Sequence, residues 1–136
     1  MTYHERVLHA FQPHATRRRR APRSRRADGA HEQPSRLWWC AACTTRIARD
    51  DARIERSGAH RHRLVNPAGA LFELGCFAAA PGCVVDGEPT TEHTWFAGFA
   101  WSYALCANCR DHLGWCFEGD GARFFGLILT RLIGPV

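Results

Sequence analysis

The 136-residue sequence contains no lysine and a single methionine. It also lacks any run of roughly 18 to 20 consecutive apolar residues, which a membrane-spanning helix requires. The first residues do not follow the charged-then-apolar arrangement of a secretory signal, so we expect a cytoplasmic protein whose cysteines are reduced or bind metal. A chain of this length forms one domain more readily than two, and we expect a monomer.

The basic residues are all arginines, and they are unevenly distributed. Residues 1–36 carry 9 of the 18 arginines and only three acids, whereas the remainder has a net charge of −1. The arginine-rich stretch 16–26 and the lack of apolar periodicity predict that residues 1–35 form a disordered leader before a folded domain, 36–136. A weak nucleic-acid tether remains open for this leader, because clustered arginines bind phosphates without reading sequence.

Beyond residue 36, short apolar or aromatic runs alternate with turn residues, and no long 3.6-residue periodicity occurs. This pattern predicts a mainly β fold. The candidate strands are 36–40, 60–65, 70–78, 83–85, 99–105, 115–118 and 124–130. Turn chemistry separates them, for example at 86–89, and a short helical piece is compatible with 44–53.

Four of the seven cysteines form two pairs with two intervening residues: Cys40 with Cys43, and Cys106 with Cys109. This spacing lets one tight turn present both sulfurs to one ion. Two such turns complete a tetrahedral four-thiolate site without an open position, so we predict one structural zinc ion. The alternative, a redox CxxC, is usually a single pair at a helix start. The other three cysteines are interpreted as small core residues: Cys76, Cys83 and Cys116.

Five tryptophans are many for so short a chain, and three of them lie close together in sequence: Trp95, Trp101 and Trp115. Alternate side chains of a strand share a face, so Trp115 and Phe117 point one way, as do Phe99 and Trp101. Large flat side chains can therefore converge. Taken by itself, such a group is more often a core than a ligand pocket.

The order of the motifs adds a resemblance to a known family. Along the chain stand CxxC, VNPAG (65–69), TEHTWFAGFAW (91–101), a second CxxC and HLGWCF (112–117). This series resembles the thalidomide-binding (CULT) domain at the C-terminal end of cereblon, from about residue 36 onwards. The resemblance implies a β-tent, in which two small antiparallel sheets lean together and are pinned by a four-cysteine zinc site. Cereblon's protease-like domain and ligase-adaptor surface have no counterpart, so we expect a stand-alone, bacterial version.

The resemblance also implies ligand binding without catalysis. The implied ligands are cyclic imides, such as glutarimide, succinimide, thalidomide-type or uracil-like rings, or cyclised peptide ends. Matching the family's motifs places these residues at the pocket: Asn66, His93, Thr94, Trp95, Trp101, Trp115 and Phe117. In the family, the imide edge meets the backbone of 93–95. Ala68 and Phe72 stand where the animal protein has histidines, which changes the pocket mouth.

Three other functions remain open. A three-tryptophan box also suits a methylated ammonium group through cation–π attraction, with Glu92 or Glu118 as the anion. B-type methionine sulfoxide reductases share the β-tent and the paired CxxC motifs, but they need a reactive cysteine, and the surroundings of Cys116 do not match their motif. A zinc module that only docks a protein partner would show a collapsed tryptophan cluster. The resemblance favours imide binding.

Overall fold

The computed structural model describes residues 36–135, so the leader predicted for 1–35 lies outside the described residues. The described chain contains nine strands: β1 (Leu37–Cys40), β2 (Arg46–Arg49), β3 (Arg61–Val65), β4 (Leu71–Phe77), β5 (Cys83–Thr90), β6 (Ala100–Cys106), β7 (His112–Gly119), β8 (Ala122–Ile128) and β9 (Leu132–Ile133). Two short 3₁₀ turns cover Asp50–Ala52 and Leu129–Arg131. No helix between residues 36 and 135 is long and apolar enough to cross a membrane.

The strands form two antiparallel sheets. The smaller has the order β2-β1-β9, and the larger has the order β3-β4-β8-β7-β6-β5. Consecutive hairpins build the four strands of the large sheet from β5 to β8. The prediction of a mainly β fold with two antiparallel sheets, the β-tent, is confirmed.

Side-chain alternation along the strands gives the large sheet two separate cores. In β7, Trp115 and Phe117 belong to one core, whereas Cys116 between them belongs to the other. The aromatic core consists of Phe72, Leu74, Cys76, Phe96, Trp101, Tyr103, Trp115, Phe117, Phe124 and Ile128. The cysteine core consists of Cys40, Cys43, Ile47, Ala48, Phe77, Ala80, Ala104, Cys106, Cys109, Leu113, Cys116, Phe125, Leu127 and Leu132. The same strands therefore serve two sites on opposite faces.

Three local predictions need correction. The helical interpretation of 44–53 is wrong, because this segment forms β2 and a 3₁₀ turn, and β2 pairs with β1 while burying Ile47 and Ala48. Strand β5 continues through the turn predicted at 86–89, with an irregular register there. Because β5 is an edge strand, Pro89 does not interrupt a central ladder. Strand β9, only two residues long, was missed.

Gly114 shows why the HLGW motif needs its glycine. A Cβ atom at this position would lie 2.1 Å from the carbonyl oxygen of Gly126 on β8 and 2.8 Å from the Cα of Leu127. Both neighbours are backbone atoms, which cannot move without opening the β7–β8 ladder. The absence of a side chain therefore permits the close approach of these two strands beside Trp115.

We expect Gly114→Ala to lower the free energy of unfolding by about 3 kcal/mol or more, because backbone atoms must separate. The matched control is Gly121→Ala in the β7–β8 turn, where φ is +72° but no atom lies within 4 Å of the added Cβ. That change costs about 1 kcal/mol of backbone strain. Urea unfolding of both variants measures the difference, and equal losses would contradict the steric explanation.

Candidate functional site

Both CxxC pairs form the same turn. The residue after each pair, Thr44 or Arg110, donates its N–H to the carbonyl of the first cysteine, at 2.7 Å for Cys40 and 2.9 Å for Cys106. Both residues have a left-handed backbone, with φ of 62° and 68°. The first cysteine of each pair donates its own N–H to the carbonyl two residues beyond the pair, at 2.8 and 2.9 Å. The two turns therefore present their sulfurs in equivalent ways.

The four sulfur atoms of these turns converge on one point. They lie within 4.8 Å of one another, with 3.8 Å between Cys40 and Cys109 and 3.6 Å between Cys43 and Cys106. A tetrahedral ion with metal–sulfur bonds of about 2.3 Å requires sulfur atoms about 3.8 Å apart. The cluster predicted from the spacing can therefore hold a metal ion, and a four-thiolate donor set suits zinc.

The pKa values of the clustered cysteines show that their deprotonated forms need a compensating positive charge. A hydrogen bond shared with Cys106, together with burial, raises the pKa of Cys40 far above its ordinary value. The same hydrogen bond lowers the pKa of Cys106 to about 4, and burial raises the pKa of Cys109 to about 12. The protein groups alone thus disfavour the thiolate forms of Cys40 and Cys109. A divalent ion bound to the sulfurs supplies the missing positive charge and holds all four deprotonated.

We expect Cys40→Ala to lose metal and to unfold at room temperature, because structural zinc in small domains contributes about 10 kcal/mol or more. The matched control is Cys76→Ala. Both cysteines are fully buried, but Cys76 belongs to the aromatic core. Metal content by mass spectrometry and thermal unfolding by circular dichroism provide the readouts. The control should retain one ion and lose about 1–2 kcal/mol; a metal-free but stable Cys40→Ala protein would contradict the assignment.

On the opposite face of β6 and β7 lies the group of aromatic residues. Trp101 stands opposite Phe117 in the β6–β7 ladder, and Tyr103 stands opposite Trp115. Trp95, in the loop between β5 and β6, packs edge-on against Trp115 with ring centroids 4.9 Å apart and an interplanar angle of 86°. One cavity, which we call the cage, is lined by His93, Trp95, Trp101, Trp115 and Phe117.

The cage is tight. Its side chains pack so closely that no room for a water molecule is left among them. Trp101, Trp115 and Phe117 are buried and lie on strands, whereas Trp95 is half-buried and lies in the loop. The two loop residues of the lining, the half-buried Trp95 and the exposed His93, are therefore less enclosed than the three residues on strands.

Hydrogen bonds attach the loop 91–99 to its surroundings. The indole nitrogen of Trp101 donates to the Glu92 carbonyl at 2.8 Å, and that of Trp95 donates to the Val65 carbonyl at 3.0 Å. His93 has a left-handed backbone with φ of 59°. Such strained positions occur often at binding sites, where the surrounding structure maintains them. The loop is thus fixed at both tryptophans and turns sharply at His93.

Two of the seven residues predicted at the pocket do not line the cage. The side-chain oxygen of Asn66 accepts the N–H groups of Ala68 at 3.1 Å and Ala70 at 2.8 Å, which shapes the β3–β4 turn. The Thr94 hydroxyl donates to the Phe99 carbonyl at 2.8 Å and holds its own loop. A role for Asn66 and Thr94 in ligand binding stays a prediction.

Sequence reasoning missed His112, which is fully buried behind the cage. Its ring packs edge-on against Trp115 with centroids 4.8 Å apart, and its Nε2 lies 2.8 Å from the Gly114 carbonyl. Because a carbonyl can only accept, Nε2 carries the proton. Arg131 donates to the His112 carbonyl at 2.7 Å. His112 therefore positions Trp115, and its place in the HLGW motif was the available signal.

Several curated proteins are similar to this chain. Protein cereblon of Gallus gallus is 36% identical over 74 residues, which cover 51% of this chain and 17% of that protein. Protein cereblon of Xenopus tropicalis is 43% identical over 73 residues, covering 50% and 16%. Protein cereblon of Drosophila grimshawi is 31% identical over 102 residues, covering 67% and 15%. The chain carries a cereblon-type domain.

The cereblon-type domain is a small part of those relatives. The chain spans only 15–17% of the length of the three proteins. No protein-family model matches the sequence. The family assignment thus rests on the curated relatives, and the four-cysteine cluster and the mainly β fold agree with it.

Proposed function

We propose that this cereblon-type domain binds cyclic imides in the cage and catalyses no reaction, with one structural zinc ion in the four-cysteine cluster. The observation that carries the proposal is the convergence of three tryptophans, Phe117 and His93 around one cavity. The ligand class comprises glutarimide, succinimide, thalidomide-type and uracil-like rings, and peptide ends cyclised at Asn or Gln.

The chemistry of the cage matches an imide ring. The polar edge of an imide presents carbonyl, N–H and carbonyl, so it needs both donors and an acceptor. The indole nitrogens of Trp95 and Trp101 already donate to main-chain carbonyls. Main-chain groups of 93–95, turned by the left-handed His93, are therefore the proposed partners of the imide edge. The tryptophan rings bury the methylene groups and exclude water, which strengthens these hydrogen bonds.

The lining of the cage favours an imide over a methylated ammonium ion. No carboxylate is among the residues that line it. Glu92 and Glu118, the two candidate anions, are exposed, and Glu118 lies 3.7 Å from the guanidinium of Arg123. A buried cation without an anion loses hydration that cation–π attraction only partly replaces. A neutral ring has no such cost.

Cys116 does not favour a reductase. It is 1% exposed, and burial raises its pKa above the ordinary value, so the thiol is protonated at neutral pH. A reactive cysteine needs an accessible thiolate. Cys116 also belongs to the cysteine core, on the sheet face opposite the cage. These features support binding rather than sulfur chemistry.

One observation favours a second candidate, a zinc module that docks a protein partner. The cage has no room for a water molecule. Closed tryptophan clusters of this kind also occur as ordinary cores. The two functions differ in one measurable respect, because only the binding function allows Trp95 to move aside for a small ring. A ligand titration separates them.

The test is tryptophan fluorescence of the zinc-loaded protein during titration with glutarimide, succinimide and uridine. We expect saturable quenching, because the ring enters among indoles, and Trp101→Ala should weaken binding by at least about tenfold. Tetramethylammonium should not compete. The matched control is Trp39→Ala, which removes a half-buried tryptophan from β1 in the other sheet.

Trp101→Phe distinguishes a loss of binding from a loss of folding in this test. It keeps an aromatic wall but removes the hydrogen bond to Glu92, so intermediate affinity is expected, and zinc content should stay at one ion. The absence of quenching by every imide in the folded wild-type protein would reject the binding function and leave the docking module.

A further inference from the structure

A second cavity, which we call the groove, adjoins the cage. Its volume is ≈ 320 Å³, within the range of small-molecule sites. Residues of β3, β4, β8 and the final 3₁₀ turn line it, including Arg63, Leu71, Phe72, Glu73, Ile128 and Arg131. The Phe72 ring lies 6.2 Å from the Trp95 ring and 5.2 Å from the Trp115 ring, between centroids. Phe72 is thus the partition between groove and cage.

The groove carries an excess of positive charge. Arg63 is exposed, and among residues 36–135 no carboxylate lies within 4.0 Å of its guanidinium. Arg131 donates to the His112 carbonyl and interacts electrostatically with the buried carboxyl of Asp111, so Arg63 is the freer of the two cations. The one acid in the lining, Glu73, is engaged by Arg61 at 3.3 Å. A guanidinium has five N–H donors arranged to grip a carboxylate, so this charge can be used by an anionic ligand.

The lining of the groove also contains apolar residues. They are Leu71, Phe72 and Ile128, and Leu71 is 54% exposed. A lining of apolar side chains and arginines suits a group that has methylenes and a terminal carboxylate, such as a glutamate side chain. A free inorganic anion would use the arginines but not the apolar residues, which favours an amphipathic ligand.

We propose that the groove is a subsite for an acidic residue of a peptide whose cyclised end occupies the cage. This inference rests on the proposed function and extends it to the ligand's sequence. A bare glutarimide has no group that crosses the Phe72 partition, whereas a peptide continues beyond its ring. The domain thus prefers acidic residues close to the cyclised end.

The experiment compares two synthetic peptides that end in a glutamine cyclised to glutarimide, one with Glu-Glu before the ring and one with Gln-Gln. We expect the acidic peptide to bind about two- to fivefold more tightly, as expected for a partly exposed arginine–carboxylate pair. The preference should disappear in Arg63→Ala and at about 0.5 M salt. Binding is measured by tryptophan fluorescence and calorimetry.

Two further variants sharpen the test. Arg49→Ala removes the same charge from the exposed end of β2 in the other sheet, where Arg49 pairs with Asp51, so it should keep the preference. Glu73→Gln removes the one acid of the groove and releases Arg61, so it should increase the preference. Equal affinity of the two peptides, with both binding normally, would overturn the acidic subsite and leave the cage function standing. Failure of both peptides and of free glutarimide to bind would overturn both proposals.

Discussion

The fold depends on the four buried cysteine sulfurs that meet where the two sheets come together, and on what compensates their negative charge when they are deprotonated. Cys40 ends β1 of the small sheet, and Cys106 ends β6 of the large sheet, so an ion held by the four-cysteine cluster would join the two sheets. The small sheet has strands of only four, four and two residues, which bury little apolar surface. Cys40 and Cys109 are 69 residues apart. The entropic cost of closing such a loop is only slightly higher than that of a short loop, because it grows with the logarithm of loop length. A metal ion is therefore an efficient link between distant parts of the chain.

The four-cysteine cluster and the cage are linked because side chains alternate between the two faces along β6 and β7. Cys106 and Trp101 belong to one strand but to opposite cores. A shift of one residue in the β6–β7 register would turn Trp101 towards the cysteine core. Two constraints hold this register, namely the second CxxC turn between β6 and β7 and the close approach of Gly114 to β8. The β6–β7 ladder thus positions both the aromatic side chains of the cage on one face and the cysteine sulfurs on the other.

The features that were predictable from sequence are those with short-range signals. The CxxC spacing predicted the cluster, and the alternation of Phe117 with Cys116 predicted which side chains share a face. The helical interpretation of 44–53 failed because local pattern could not foresee pairing of β2 with β1, a tertiary effect. The tight packing of the cage could not be predicted from sequence either. The positions of Trp95 and Phe72 depend on packing between a loop and two strands.

Groove and cage are connected through shared contacts. Trp95 donates to the carbonyl of Val65, and Val65 pairs with Leu71 across the β3–β4 ladder, so the residue that holds Trp95 stands beside a residue of the groove. Phe72, next to Leu71 on β4, packs against Trp95. A group bound against Leu71 and Phe72 in the groove would therefore act on the residues that hold Trp95. If the proposed ring enters the cage by moving Trp95, the contributions of ring and acidic residue to affinity would not be additive. The groove would thus tune how readily the cage opens, as well as adding contacts of its own.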